Sequence, residues 1–171
     1  MLPTIRTILY ATDLDPRASR VFRYAVSLAQ RYDARIVVLH VIAPLSAFAQ
    51  SLVETCIEHE QVEEIHRRAR EKVVEEIRGR LERFCSTELA SDPLGRARVA
   101  EVRVLDGQAS EVILTEAGRI AADMIVMGTH QHTVIGEALL GSTAHRVLLK
   151  ATGPVLLIRL ADGKEETAPG V

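Results

Sequence analysis

The sequence predicts an α/β protein built on one doubly wound, five-stranded parallel sheet with helices on both faces. Three observations carry that expectation. Short β-branched or continuously apolar runs alternate with amphipathic stretches five times along the 171 residues. Two of the runs, RIVVLHVI and DMIVM, lack the every-other-residue polarity of a sheet with one wet face, so they fit strands covered on both sides. The length suffices for one such domain with a full core and is short for two.

Each element follows in order. Thr4 to Thr12 is a β-branched, apolar strand ending in Asp13-Leu14-Asp15-Pro16, a turn into a helix. On that helix Val21, Tyr24, Ala25, Leu28 and Ala29 recur at helical spacing until Tyr32-Asp33. Arg35 to Ile42 is the second strand, and Pro44 to Gln50 an irregular connection. A long charged helix is predicted over roughly Val53 to Cys85, with Val62, Ile65, Ala69, Val73, Ile77, Leu81 and Phe84 as its apolar stripe. Ser86 to Arg96, broken by Pro93 and Gly95, is expected to be the least ordered internal segment. Val99 to Leu105 is the third strand, and Asp106-Gly107 turns into a helix through about Ala121. Asp123 to Met127 is the fourth strand, Ser142 to Lys150 a helix, and Gly153-Pro154 introduces the last strand, Val155 to Arg159. Residues 1–160 thus form one Rossmann-like domain, and 161–171 have the composition of a disordered tail.

Bulk properties narrow the function. Tryptophan is absent and aromatic residues make up 4%, so aliphatic side chains must build the core. A net charge of −2 offers no field for nucleic acid or an anionic membrane, so any anion site must be local. The N-terminal stretch, with Arg6, Asp13 and Asp15 around a few apolar residues, fits neither a signal peptide nor a spanning helix, and a cytoplasmic location is expected. Cys56 and Cys85 have no CxxC spacing and read as buried, reduced thiols.

In a doubly wound sheet ligands lie beyond the carboxyl ends of the strands, where strand order reverses. That place collects Ala11 to Asp15, Val41 to Pro44 and Gly128 to Gln131. Asp13 can accept hydrogen bonds from a ribose hydroxyl or an amine; Asp15, with Pro16 next to it, suits a helix cap. Gly128 allows close backbone approach after a buried strand. Gly141 with Ser142 and Thr143 offers amide protons, hydroxyls and the positive end of a helix dipole. His130 and His132 lie two residues apart with no third ligand nearby, so no metal site is expected. His40 reads as a satisfied core residue, and His59, His66 and His145 as helix-surface positions. No Ser, His and acid arrangement and no Walker lysine occurs, so hydrolysis has no visible machinery.

From Ile5 to Arg159 these residues resemble the universal stress protein family, whose fold is similar to that of the adenine nucleotide alpha hydrolases. The resemblance rests on TILYATDLD, RIVVLHVI, the Asp106-Gly107 turn, DMIVMG, and Gly128 to Thr143 followed by HRVLLKATGPVLLIR. The nucleotide-binding branch of that family carries glycine, two residues, glycine, nine residues, glycine, then Ser or Thr. Gly128 and Gly141-Ser142 match it, while Gln131 stands at the middle glycine.

The resemblance implies ATP, with Mg2+, held by Asp13 and the Val41 backbone at the nucleoside and by Gly128, Gly141, Ser142 and Thr143 at the phosphates. Ala11 falls near the adenine or ribose, and Thr12, Met127, His130 and Gln131 belong to the same stretches. It implies a regulatory homodimer with at most weak ATP hydrolysis. Pairing through Val155 to Arg159 is expected, because an open apolar edge needs a cover. Three readings stay open: a nucleotide-binding stress regulator, a non-nucleotide interaction protein on the same fold, and an adenylate-forming enzyme. The last lacks the histidine element expected after the first strand.

Overall fold

The computed structural model describes residues 3–44, 59–130, 132–134 and 137–160; for 59–66, 130, 132–134 and 137–139 it describes the backbone alone. In chain order the first elements are β1 (Thr7–Ala11), α1 (Ala18–Tyr32), β2 (Arg35–Ile42), α2 (His59–Glu88), the short α3 (Pro93–Arg96) and β3 (Val99–Asp106). Then come α4 (Ala109–Arg119), β4 (Met124–His130), β5 (His132–Val134), β6 (Glu137–Leu139), α5 (Ser142–Lys150) and β7 (Val155–Leu160).

Five strands form one sheet in the order β3-β2-β1-β4-β7, every neighbouring pair parallel. The chain walks from β1 to the β3 edge, then crosses back to β4, so strand order reverses between β1 and β4. All five residues of β1 are buried because the strand is central and covered on both faces. Alternation along it divides the core: Ile8 and Tyr10 join the cluster under α1 and α2, while Leu9 and Ala11 join the cluster under α4 and α5. Asp123 ties the amino ends of β1 and β4 together, its Oδ2 accepting from the Arg6 and Thr7 amides at 2.8 and 2.9 Å.

The doubly wound architecture is as the sequence predicts, with four local differences. On α1 the inward face is Val21, Phe22, Ala25, Val26 and Ala29, with Leu28 partly buried, whereas Tyr24 is exposed. Phe22 stacks between Tyr10 and Phe84 at centroid distances of 5.4 and 5.3 Å, which fixes that rotation of the helix.

On α2 the predicted stripe holds only towards its carboxyl end. Leu81 is buried and Ile77 and Phe84 pack on the core, yet Ala69 and Val73 are exposed. Arg67 and Glu71, four residues apart and paired at 2.6 Å, support this exposed stretch locally, and Arg70 reaches Asp106 at the end of β3 at 3.8 Å. Residues 53–58, Cys56 among them, lie outside the described residues, as do the side chains of Val62 and Ile65.

The segment from Ser86 to Arg96 is built into the domain and is not loose. α2 continues through Glu88, Leu89 is buried, and Asp92 caps α3 by accepting from the Gly95 amide at 2.9 Å. Pro93 there occupies the first turn, where its missing N–H costs nothing.

Finally, β4 runs past Met127 through Thr129 to His130, and β5 and β6 pair as an antiparallel ribbon where only a loop was predicted. Gly128 therefore lies inside a strand, opposite Ile158, and not in a turn. A Cβ there would stand 3.0 Å from Leu160 Cδ1 and 3.1 Å from Val21 Cγ2. The glycine serves close packing rather than a special backbone angle. Gly107 differs: its φ of 138° needs glycine, and it ends β3 as the Asp106-Gly107 turn predicts. Residues 161–171 lie outside the described residues.

Candidate functional site

A cavity of about 290 Å³ opens at the carboxyl ends of β1, β2 and β4, over the point of strand reversal. Nine of the residues singled out in the sequence line it together: Ala11, Thr12, Asp13, Val41, Met127, Gly128, Gly141, Ser142 and Thr143. They come from parts of the chain more than a hundred residues apart, and the parallel sheet is what gathers them. Gln131 and the side chain of His130 lie outside the described residues. The rest of the wall has Leu39, Ile113, Ala109 and Ala144 on the α4 side and Tyr10, Ala18, Val21 and Leu160 on the α1 side, the Tyr10 hydroxyl donating to the Ala18 carbonyl at 3.1 Å. Sequence reasoning missed these because all but Tyr10 lack a polar side chain; their positions just before or after strand ends were the available signal.

The β1–α1 loop is held by a chain of short bonds. The Thr12 amide donates to the Leu39 carbonyl at 2.9 Å, extending the β1–β2 ladder by one residue. Thr12 Oγ1 accepts from the Leu14 amide at 3.2 Å, and Asp13 Oδ1 from the Asp15 amide at 3.1 Å. Leu14 adopts φ 63°, a left-handed conformation that leucine seldom takes, while its side chain packs on the core. His40 Nδ1 lies 2.9 Å from the Thr12 carbonyl, so His40 is satisfied as predicted. Asp15 Oδ1 accepts from the Arg17 amide at 2.8 Å, capping a single turn ahead of the helix proper, whose N-cap is Arg17. The cap assigned to Asp15 thus serves the turn and not α1 itself.

Electrostatics give the cavity two ends. Ala18, Ala109 and Ser142 are the first residues of α1, α4 and α5, all three line the cavity, and none of these helices has a side-chain cap bond at its N-cap. Their first-turn amides make that rim favourable to negative charge, and Ser142 and Thr143 add hydroxyls beside it. Asp13 is the one charged side chain among the described lining residues. Ala11, Leu39, Val41, Ile113 and Met127 form an apolar wall suited to a flat, uncharged ring system. Such an arrangement can bind a molecule with an apolar ring, hydroxyls and an anionic end.

Two buried titratable groups outside the cavity, Cys85 and Glu116, belong to the packing of the domain. Cys85 is buried, and burial pushes its thiol up to about 11, which leaves it protonated and unreactive at neutral pH. Glu116 is buried between Arg103 and Arg119, at 2.7 and 2.9 Å, and joins β3 to α4. Among the described residues no three His, Cys, Asp or Glu side chains group to hold a metal ion, and no helix is long and apolar enough to cross a membrane.

Comparison with known proteins adds lineage to this geometry. The sequence model of the universal stress protein family matches residues 4–159. A universal stress protein of Thermus aquaticus is 31% identical over 154 residues, covering 90% of this chain and 98% of that one. The universal stress protein MJ0577 of Methanocaldococcus jannaschii is 27% identical over 158 residues, covering 90% and 94%. The solved structure of MJ0577 superimposes with a TM-score of 0.70 at 24% identity over 94% of this chain and all of that one. A universal stress protein solved in complex with cAMP gives 0.55 at 16% identity, covering 92% and 98%. These two structural likenesses are likenesses of fold.

Proposed function

The chain belongs to the universal stress protein family, and on that premise we propose that it is a regulatory protein that binds an adenine nucleotide, ATP with Mg2+, in the cavity at the strand reversal. One observation carries the reading: Asp13, the apolar wall and the Ser142-Thr143 helix start meet around a single cavity. The apolar wall takes the adenine, Asp13 accepts from the ribose hydroxyls, and the phosphates lie against the α5 amides. No lysine or arginine is among the described lining residues, so charge neutralisation falls to the helix amides and to Mg2+. On this reading the protein is a sensor with at most weak hydrolysis, and Asp13 is the candidate general base among the described lining residues. The cAMP complex of one relative supports an adenine nucleotide as the class of ligand.

The test is chemical. Protein purified without added nucleotide, denatured and chromatographed, is expected to release an adenine nucleotide; if neither extraction nor added Mg-ATP loads the protein, the reading fails.

Gln131 favours a second reading, a family member that binds no nucleotide, and one substitution separates the two. If position 131 needs a left-handed backbone, a non-glycine residue there costs roughly 1–2 kcal/mol, about a 5- to 30-fold loss of affinity. Gln131→Gly is then expected to tighten ATP binding several-fold. A change from undetectable to micromolar binding means instead that Gln131 closes the site, and the non-nucleotide reading is correct.

The same proposal includes a homodimer through β7. Among the described residues that strand pairs with β4 alone and so lies at a sheet edge, and α5 beside it presents Leu148 and Leu149, the latter 71% exposed. A sheet edge flanked by exposed leucines favours a two-fold partner. Light scattering is expected to give twice the chain mass, and Leu149→Asp to shift it towards the monomer without loss of folding, since the side chain is largely in solvent. A wild-type monomer at micromolar concentration contradicts the dimer.

A further inference from the structure

The geometry points to His40 as a positioning residue for this site: its Nδ1–H clamps the Thr12 carbonyl and thereby holds Asp13 at the cavity mouth. The inference rests on the nucleotide reading above. His40 does not line the cavity, although its neighbours Leu39 and Val41 do. Strand alternation turns its ring to the opposite face, from which it reaches over the end of β1 to Thr12 at 2.9 Å. A carbonyl oxygen only accepts, so the ring proton at this contact is on Nδ1.

The clamp acts where the loop most needs one. Two residues beyond Thr12 the backbone passes through the left-handed angle of Leu14, a conformation that persists only when its surroundings over-determine it. Thr12 is fixed on three sides: its amide by Leu39, its carbonyl by His40 and its hydroxyl by the Leu14 amide. Asp13, the only charged side chain in the described lining, is the next residue along. With the His40 bond gone, the loop can relieve Leu14 by rotating the 12–13 peptide, and the carboxylate leaves its station. β2 thus supplies one wall of the cavity through Val41 and sets the position of the other through His40.

Three substitutions at His40 separate this role from mere packing. The Asn side-chain nitrogen lies as many bonds from Cα as Nδ1 does, the Gln nitrogen one bond further, and Leu has none. His40→Leu and His40→Gln are expected to weaken Mg-ATP binding by about three- to tenfold, the range of one net hydrogen bond, and His40→Asn to stay within about twofold of wild type. In the Asp13→Ala background His40→Leu should bring no further loss, because the two residues act through one contact. In nucleotide-free protein, hydrogen exchange of the Leu14 and Asp15 amides should quicken in His40→Leu and return to the wild-type rate in His40→Asn.

Wild-type affinity in His40→Leu, additive losses in the double variant, or rescue by Gln and not by Asn each overturn the proposal. Should the wild type bind no nucleotide, the reading of the cavity falls, and the exchange rates alone decide the clamp: faster exchange in His40→Leu upholds it, and unchanged exchange ends it.

Discussion

Gly128→Val is expected to abolish detectable nucleotide binding and to destabilise the fold by about 1–3 kcal/mol, the usual cost of overpacking. The glycine sits inside β4, and a Cβ alone would already stand 3.0 Å from Leu160 and 3.1 Å from Val21. Both neighbours line the cavity, so a single added carbon can displace them into empty space, and Gly128→Ala should be tolerated by the fold. Two further methyl groups cannot be absorbed that way without filling the cavity or separating β4 from α1. At roughly 2–4 °C per kcal/mol for a domain of this size, thermal unfolding should shift downwards by about 2–12 °C. A Gly128→Val protein that keeps both its melting temperature and its affinity would remove this glycine from the wall.

The second large effect is at Asp13, and it should depend on the ligand. Asp13→Ala deletes the acceptor assigned to the ribose, worth about 1–3 kcal/mol when its partner is desolvated, or about 5- to 150-fold in affinity. The same change removes the one negative charge among the described lining residues, which relieves repulsion of a polyphosphate. Adenosine should therefore lose more affinity than ATP, and Asp13→Asn should fall between, since its amide oxygen still accepts. Equal losses for the two ligands would mean that Asp13 acts on the phosphates or on their metal ion instead.

The strand and helix order was legible because both periodicities are strong here. Continuous apolar runs mark β2 and β4, and α5 starts at Ser142 and ends at Lys150 as its glycine and hydroxyl signals indicate. Gly107 was legible for the same kind of reason, since a turn after β3 demands φ above zero. The misplaced end of β4 has the opposite cause: Gly128 reads as a turn residue by propensity, and only the pairing with β7, where it stands opposite Ile158, makes it a strand residue. Strands of three residues such as β5 and β6 are too short for periodicity to register. Tyr24 and Phe22 both suit an apolar stripe, and the aromatic stack with Tyr10 and Phe84 that chooses between them is not visible in sequence spacing. Likewise Asp92, which turns the Pro93-Gly95 stretch from a loose loop into a capped turn, depends on contacts with α1: its Oδ2 accepts from Gln30 at 2.7 Å.

The polar half of the site was legible because polar residues at strand ends are few and have recognisable uses. Asp13, Ser142 and Thr143 stand out in their segments, and the switch-point rule places them together. What the sequence did not reveal is the support behind them. His40 reads as a core histidine and Leu14 as an ordinary loop residue; the 2.9 Å contact and the φ of 63° exist only once β1 and β2 are side by side.

Nucleotide binding in this cavity is decided by isothermal titration of the purified chain with ATP in the presence of Mg2+, run beside the same titration of Asp13→Ala. Saturable binding of one nucleotide per chain in the micromolar range is expected for the wild type, weakened in the variant. No heat up to millimolar ATP, with no rise in melting temperature and no nucleotide released on denaturation, would contradict it.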